Sequence, residues 1–152
     1  MNIGCVYYSQ TGHTKDVVEK IVSQLTNADH LVSVHRIQAD SLSKSLEGHW
    51  DVSQYEALVI GTPVHGGVMA APIRSFLKEL QGLEGIQFAL VVTHFFRRGW
   101  GAVQTLQEMR SICEAKGGIF LAQMDIKWLS VFRKKEITEA IRIYINQFPP
   151  KS

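Results

Sequence analysis

The sequence has few cysteines, and this limits the sulfur chemistry open to it. Only Cys5 and Cys113 occur among 152 residues, and neither belongs to a C-x-x-C motif. Cys5 falls inside an apolar run and Cys113 inside a helical pattern, which favours two buried free thiols over a disulfide. We therefore expect a protein of a reducing compartment, the cytoplasm, with no redox role for sulfur.

The sequence also lacks a strong charge bias and a long apolar run. Lys and Arg number 16 against 14 Asp and Glu, a net charge of +2 with no basic stripe, which argues against a nucleic-acid partner. No apolar stretch is long enough to span a membrane, and polar residues 10–16 interrupt any secretory signal. We expect one globular domain over residues 1–152 without a membrane partner.

Apolar runs and amphipathic segments alternate along the chain. The apolar or alternating runs predict strands, and the segments with apolar residues at i, i+3 and i+4 predict helices. A further short helix is predicted around Leu42 and Leu46. Such alternation predicts an α/β fold, with five parallel strands covered by helices on both faces. The predicted strands are Ile3–Tyr8, Leu31–Ile37, Ala57–Ile60, Phe88–Val92 and Ile119–Ile126; the predicted helices follow Thr14 and cover Ala70–Leu80, Ala102–Lys116 and Lys134–Phe148.

The loop after the first strand has the composition of a phosphate-binding loop. It reads Ser9-Gln10-Thr11-Gly12-His13-Thr14 and leads directly into the first predicted helix. A helix N-terminus offers unpaired N–H groups and a partial positive charge, and the hydroxyl groups add further donors. The alternative interpretation is that Thr14 is an ordinary helix N-cap.

Two more loops of unusual composition follow later strands. The second is Gly61-Thr62-Pro63-Val64-His65-Gly66-Gly67, read as a turn after the third strand. The third is Thr93-His94-Phe95-Phe96-Arg97-Arg98-Gly99-Trp100-Gly101. The alternatives are a plain strand-to-helix turn for the second loop, and for the third a core role for Phe95 and Phe96 with Trp100 against the next helix. A zinc site at His13, His65 and His94 is disfavoured, because no carboxylate or H-x-x-x-H spacing accompanies them.

The chain length, the element order and the three loops resemble the short-chain flavodoxins. That resemblance implies a three-layer flavodoxin-like sandwich with strand order 2-1-3-4-5, which brings the three loops to one edge of the sheet. It implies FMN as cofactor. Ser9 to Thr14 would hold the phosphate, Thr62 to Gly67 the ring edge, and Thr93 to Trp100 the outer face and the pyrimidine side. It also implies that the Gly66-Gly67 pair permits a peptide flip beside the flavin.

The resemblance implies an electron carrier that shuttles electrons between redox partner proteins, as a monomer or weak homodimer. Flavodoxins are typically acidic, whereas this chain places Arg97 and Arg98 in a flavin loop. We expect this pair to favour acidic partners and to make the hydroquinone couple less negative. The alternatives are an FMN-dependent NAD(P)H:quinone or flavin reductase, and a flavodoxin-like binding module without flavin.

Overall fold

Five long parallel strands form the centre of the protein. The computed structural model describes residues 1–38, 50–95, 100–127 and 133–149. The long strands lie in the order β2-β1-β3-β5-β6, which is the predicted order 2-1-3-4-5, and a two-residue strand pairs antiparallel with the end of β3. In chain order the strands are β1 (Asn2–Tyr8), β2 (Leu31–Ile37), β3 (Ala57–His65), the short β4 (Val68–Met69), β5 (Gln87–His94) and β6 (Ile119–Lys127).

Four helices cover the two faces of the sheet, as the sequence predicts. They are α1 (His13–Asn27), α2 (Ala71–Glu79), α3 (Ala102–Ala115) and α4 (Arg133–Ile145). Pro72 lies in the first turn of α2, where its missing N–H is not needed, and the chain leaves α3 through Gly117 with φ +85°. The short helix predicted around Leu42 and Leu46 falls outside the described residues. Among the described helices, none has the length and apolar character needed to cross a bilayer.

Side chains of the central strands alternate between two cores. Leu58 and Ile60 of β3 pack in one core with α2 and α3, and Ala57 and Val59 pack in the other with α1 and α4. All four are fully buried, so β3 is covered on both faces. Burial of each large aliphatic side chain contributes roughly 1.5–3 kcal/mol, which fixes the helices against the sheet.

The prediction of a turn at Gly61-Thr62-Pro63 is wrong. These residues continue β3, which runs on to His65, and Pro63 is level with Thr93 of β5. Pairing between β1 and β3 ends at Gly61, so Pro63 has a long strand on one side only, a position that tolerates a residue without an N–H group. The carboxyl end of β3 therefore projects beyond β1 as a wall.

The glycine at position 61 lets α1 approach the sheet closely. A Cβ atom at this position would lie 3.1 Å from Cγ2 of Val18 and 3.4 Å from Cγ2 of Thr14, both on α1. A side chain at this position would require these neighbouring atoms to give way. The glycine thus brings the N-terminus of α1 to the edge where β3 projects.

Candidate functional site

A cleft of about 390 Å³ opens at the carboxyl edge of the sheet. All three unusual loops contribute to it, as expected for the point where strand order reverses in a doubly wound sheet. No Lys, Arg, Asp or Glu is among its described lining residues, so its walls are formed by apolar groups, imidazoles and neutral polar groups. The lining residues are Gln10, Thr11, His13, Pro63, Val64, His65, Gly66, Thr93, His94 and Phe95.

The first loop ends in a helix N-terminus that is capped by the side chain of Ser9. The N-cap residue is Gly12, with φ +91°, rather than Thr14, so the interpretation of Thr14 as the cap is wrong. The Oγ atom of Ser9 accepts a hydrogen bond from the Gly12 N–H at 3.1 Å and another from the Lys15 N–H at 3.3 Å. The Gly12 and Lys15 N–H groups, which could bind an anion, therefore both point at one neutral hydroxyl oxygen.

Thr14 faces the interior, where it connects the first loop with the third. Its hydroxyl oxygen lies 2.8 Å from that of Thr93, and both residues are buried. Thr14 is accordingly not part of the cleft lining, whereas Thr93 is. The structure thus gives the Thr14 hydroxyl a protein partner next to the site.

His13 and Phe95 lie next to each other in the lining of the cleft. The two rings meet edge to face with 5.0 Å between their centroids, and Nδ1 of His13 lies 3.2 Å from Oγ1 of Thr11. Phe95 remains 39% exposed, and Trp100 is 60% exposed. A core role for Phe95 is therefore wrong for this structure. Phe96, Arg97, Arg98 and Gly99 lie outside the described residues.

The second loop is a tight hairpin. Val64 pairs with Met69 and His65 with Val68, and Gly66 and Gly67 form the turn with φ +56° and +81°. Both glycines have positive φ, which L side chains rarely adopt. This arrangement is a hairpin rather than a plain strand-to-helix turn.

The hairpin is held from two sides. The imidazole of His65 meets the Tyr8 ring edge to face at 6.0 Å between centroids. Gly67 packs against Gly101, where a Cβ atom would collide with the Gly67 backbone. The buried Thr62 donates its hydroxyl proton to the carbonyl of Pro63 at 2.9 Å. The second and third loops therefore touch directly.

Two residues that sequence reasoning missed stand beside the predicted ones. Asp125 of β6 lies 3.0 Å from Nε2 of the buried His94, measured from its Oδ2 atom. Arg36 of β2 donates from its guanidinium to the carbonyl oxygen of Ser9 at 2.9 Å. Each is a polar residue near the carboxyl end of an outer strand: β2 lies next to β1, which leads into the first loop, and β6 lies next to β5, which leads into the third. The predicted strand order was the signal that could have indicated both.

The arrangement suits a flat group with polar edges and an anionic tail. The cleft offers an aromatic ring, a proline and a valine as apolar walls, with backbone groups at the hairpin rim. Among the described residues, no three His, Cys, Asp or Glu side chains cluster as a metal site would require.

Comparison with known proteins gives a family and a set of similar folds. The family model for the flavodoxin domain matches residues 5–138. No curated protein sequence matches the chain. The flavodoxin of Streptococcus pneumonia TIGR4 is 16% identical over 97% of both chains, with a TM-score of 0.75.

Two further structures extend that comparison. A flavodoxin from the domain Archaea is 20% identical, covering 97% of this chain and 96% of its own, with a TM-score of 0.68. A flavodoxin, WrbA-like protein from Agrobacterium tumefaciens is 17% identical, covering 97% and 99%, with a TM-score of 0.63. At these identities the structures share the fold alone.

Proposed function

The chain belongs to the flavodoxin domain family, and on that premise we propose that it binds FMN in the cleft and carries electrons between redox partner proteins. The observation that carries the proposal is the convergence of the three predicted loops on one cleft beside the N-terminus of α1. We also propose that residues 1–152 form one flavin-binding domain that acts in the cytoplasm as a monomer or weak homodimer.

The donors of the first loop fit a phosphate group. The Gly12 and Lys15 amides bond to a neutral Ser9 hydroxyl, and a phosphate oxygen is a stronger acceptor than a hydroxyl oxygen. Thr11 adds a hydroxyl in the cleft lining. In this proposal residues Ser9 to Thr14 hold the phosphate, with Thr14 acting through its backbone because its side chain is buried. The positive end of the α1 dipole favours the anion.

The remaining walls fit a flavin ring. A cleft of about 390 Å³ lies within the range of small-molecule sites. Thr62 to Gly67 would border the ring edge, where the hairpin offers backbone groups. Thr93 to Phe96, Gly99 and Trp100 would cover the outer face, and the exposed aromatic rings of Phe95 and Trp100 support this assignment. Bound FMN would supply the electron-transfer chemistry, and the protein would bind, orient and shield it.

The main test is uptake of FMN by the purified protein. We expect a yellow protein, or a colourless one that quenches the fluorescence of added FMN with one site per chain. Gln10→Glu places a negative charge in the first loop and should weaken FMN binding at least tenfold by repulsion. Gln107→Glu, at an exposed position on α3, is the matched control and should leave the affinity unchanged. A wild-type protein that takes up no FMN would end the proposal.

A reductase is the competing function, and the Arg97-Arg98 pair is what favours it. Two adjacent guanidinium groups are suited to the 2′-phosphate of NADPH as well as to an acidic partner protein. Anaerobic addition of NADPH separates the two functions: direct bleaching of bound FMN identifies a reductase, and an unchanged spectrum supports the carrier.

Arg97 and Arg98 should also change the reduction potential of the bound flavin. We expect Arg97→Ala/Arg98→Ala to make the hydroquinone couple more negative, because a cation near the ring stabilises its reduced, anionic form. A redox titration of both proteins measures the change, and an unchanged or higher potential in the double variant would refute this tuning role.

A further inference from the structure

Arg36 lies where β2 reaches the first loop. It is at the penultimate position of β2, an edge strand, level with Tyr7 of β1. The residue is exposed, yet its guanidinium donates to the carbonyl oxygen of Ser9 at 2.9 Å. Burial raises the pKa of Tyr7, and the positive charge of Arg36 opposes that rise, so the charge is felt at the end of β1. The cation is thus anchored to the loop rather than free in solvent.

Ser9 connects this cation to the helix N-terminus. Its carbonyl group accepts from Arg36, and its hydroxyl oxygen accepts from the Gly12 and Lys15 amides. A peptide carbonyl that turned towards the cleft would present partial negative charge to an anion there. The hydrogen bond from Arg36 holds the Ser9 carbonyl towards the guanidinium cation, so the carbonyl does not face an anion in the cleft.

The charges on α1 do not supply this cation themselves. Lys15 lies 3.8 Å from Glu19, and Asp16 occupies the first turn of the helix. With Lys20, the four charged side chains of α1 are two Lys, one Asp and one Glu and sum to zero, so they supply no net positive charge to an anion at the helix N-terminus. Arg36 therefore adds a positive charge beside the first loop, and this charge favours phosphate there.

We propose that Arg36 is a positioning residue that makes the site selective for the phosphate-bearing flavin over riboflavin. This inference rests on the proposed function. Arg36 would act in two ways: it fixes the Ser9 carbonyl, and it places one positive charge on the phosphate side of the site. Both effects favour the dianionic phosphate of FMN, and neither affects riboflavin, which has the same ring but no phosphate.

Separate fluorescence titrations with FMN and with riboflavin test this. In Arg36→Gln the FMN dissociation constant should rise by roughly three- to tenfold, while the riboflavin constant stays within about twofold. The salt dependence of FMN binding should become shallower, because one screened attraction is lost. Arg36→Lys keeps the charge and should retain most of the salt dependence. Arg142→Gln, which removes a cation from an exposed pair with Glu139 on α4, should change neither constant.

The outcomes separate the two proposals. Equal weakening of both ligands in Arg36→Gln would show a general scaffold role and overturn the selectivity. No change in either constant would overturn it as well. A wild-type protein that binds neither ligand would refute the proposed function and this inference together. Because the selectivity is a ratio measured within each variant, a loss of stability does not mimic the expected result.

Discussion

The hydroxyl oxygens of Thr14 and Thr93 lie 2.8 Å apart in the interior and join α1 to the end of β5. The two residues are 79 positions apart in the chain, and both are at most 3% exposed. One hydroxyl donates a hydrogen bond to the other, so each has a protein partner in the interior. This contact holds the first loop against the third, beneath the cleft.

Thr93→Val should destabilise the protein by about 1–2 kcal/mol, because it leaves the buried hydroxyl of Thr14 without this partner. Urea unfolding measures the change. Thr14→Val/Thr93→Val removes both polar groups and should be less destabilising than the sum of the two single variants. Strict additivity in that double-mutant cycle would show that the two hydroxyl groups do not support each other.

Gly101→Ala should be more damaging than the same change at Gly66. Both glycines have positive φ, but a Cβ at Gly101 would collide with the backbone of Gly67, and a Cβ at Gly66 would meet nothing. We expect Gly66→Ala to cost about 1 kcal/mol and Gly101→Ala at least about 2 kcal/mol more. Thermal and urea unfolding of both variants test the difference, and equal losses would contradict a close contact between the two loops.

Glu108→Gln should lower stability at neutral pH and have no effect in acid. Arg74 of α2 donates two hydrogen bonds to the Glu108 carboxylate, at 2.8 and 3.0 Å, and they hold the pKa of Glu108 below its ordinary value. A lowered carboxyl pKa stabilises the folded state above the unfolded pKa, and this contribution is lost as pH falls through the folded value.

The size of that effect is limited by solvent. The side chains of Arg74 and Glu108 are 31% and 40% exposed, so the pair contributes at most about 1 kcal/mol. Unfolding of wild type and Glu108→Gln should differ at pH 7 and converge at about pH 3. The more exposed Glu139, paired with Arg142, provides the comparison through Glu139→Gln, which should show a smaller pH-dependent difference. A difference that persisted in acid would point to packing instead of charge.

Cys5 and Cys113 should not react with Ellman's reagent in the folded protein at pH 8. Both are free and buried, as predicted, and burial raises the pKa of each thiol to about 12. The thiolate is the reactive form, so both factors slow the reaction. Two thiols per chain should react once the protein unfolds in denaturant. Rapid labelling of either one under native conditions would show an opening of the core that the structure does not contain.

The features that the sequence predicted are those that local patterns encode. The apolar run Ala57–Ile60 indicated a strand covered on both faces, and the alternation of strands and helices indicated parallel crossovers. The first loop was recognisable because its glycine and hydroxyl residues stand directly between a strand and a helix. The predicted strand order placed the three loops at one edge of the sheet, and residues of all three loops line the cleft.

The features that the sequence did not predict depend on register between strands. Pro63 indicated a turn, but it continues β3 because β1 has already ended at that level. Arg36 and Asp125 looked like ordinary polar residues of edge strands. Their partners, Ser9 and His94, become neighbours only when the strands are aligned. The inward direction of the Thr14 hydroxyl likewise depends on how closely α1 approaches the sheet.

The hairpin of β3 and β4 limits where the rim of the cleft can change. Val64 and His65 are tied to Met69 and Val68, so the two arms of the hairpin are held in place by pairing. Within the hairpin, Gly66 and Gly67 are the residues whose backbone dihedral angles are not restricted by a Cβ atom. We expect a reorientation of the peptide between Gly66 and Gly67 to exchange a carbonyl for an amide at the rim, so that the cleft would accept a hydrogen bond in one state and donate one in the other while its shape stayed the same.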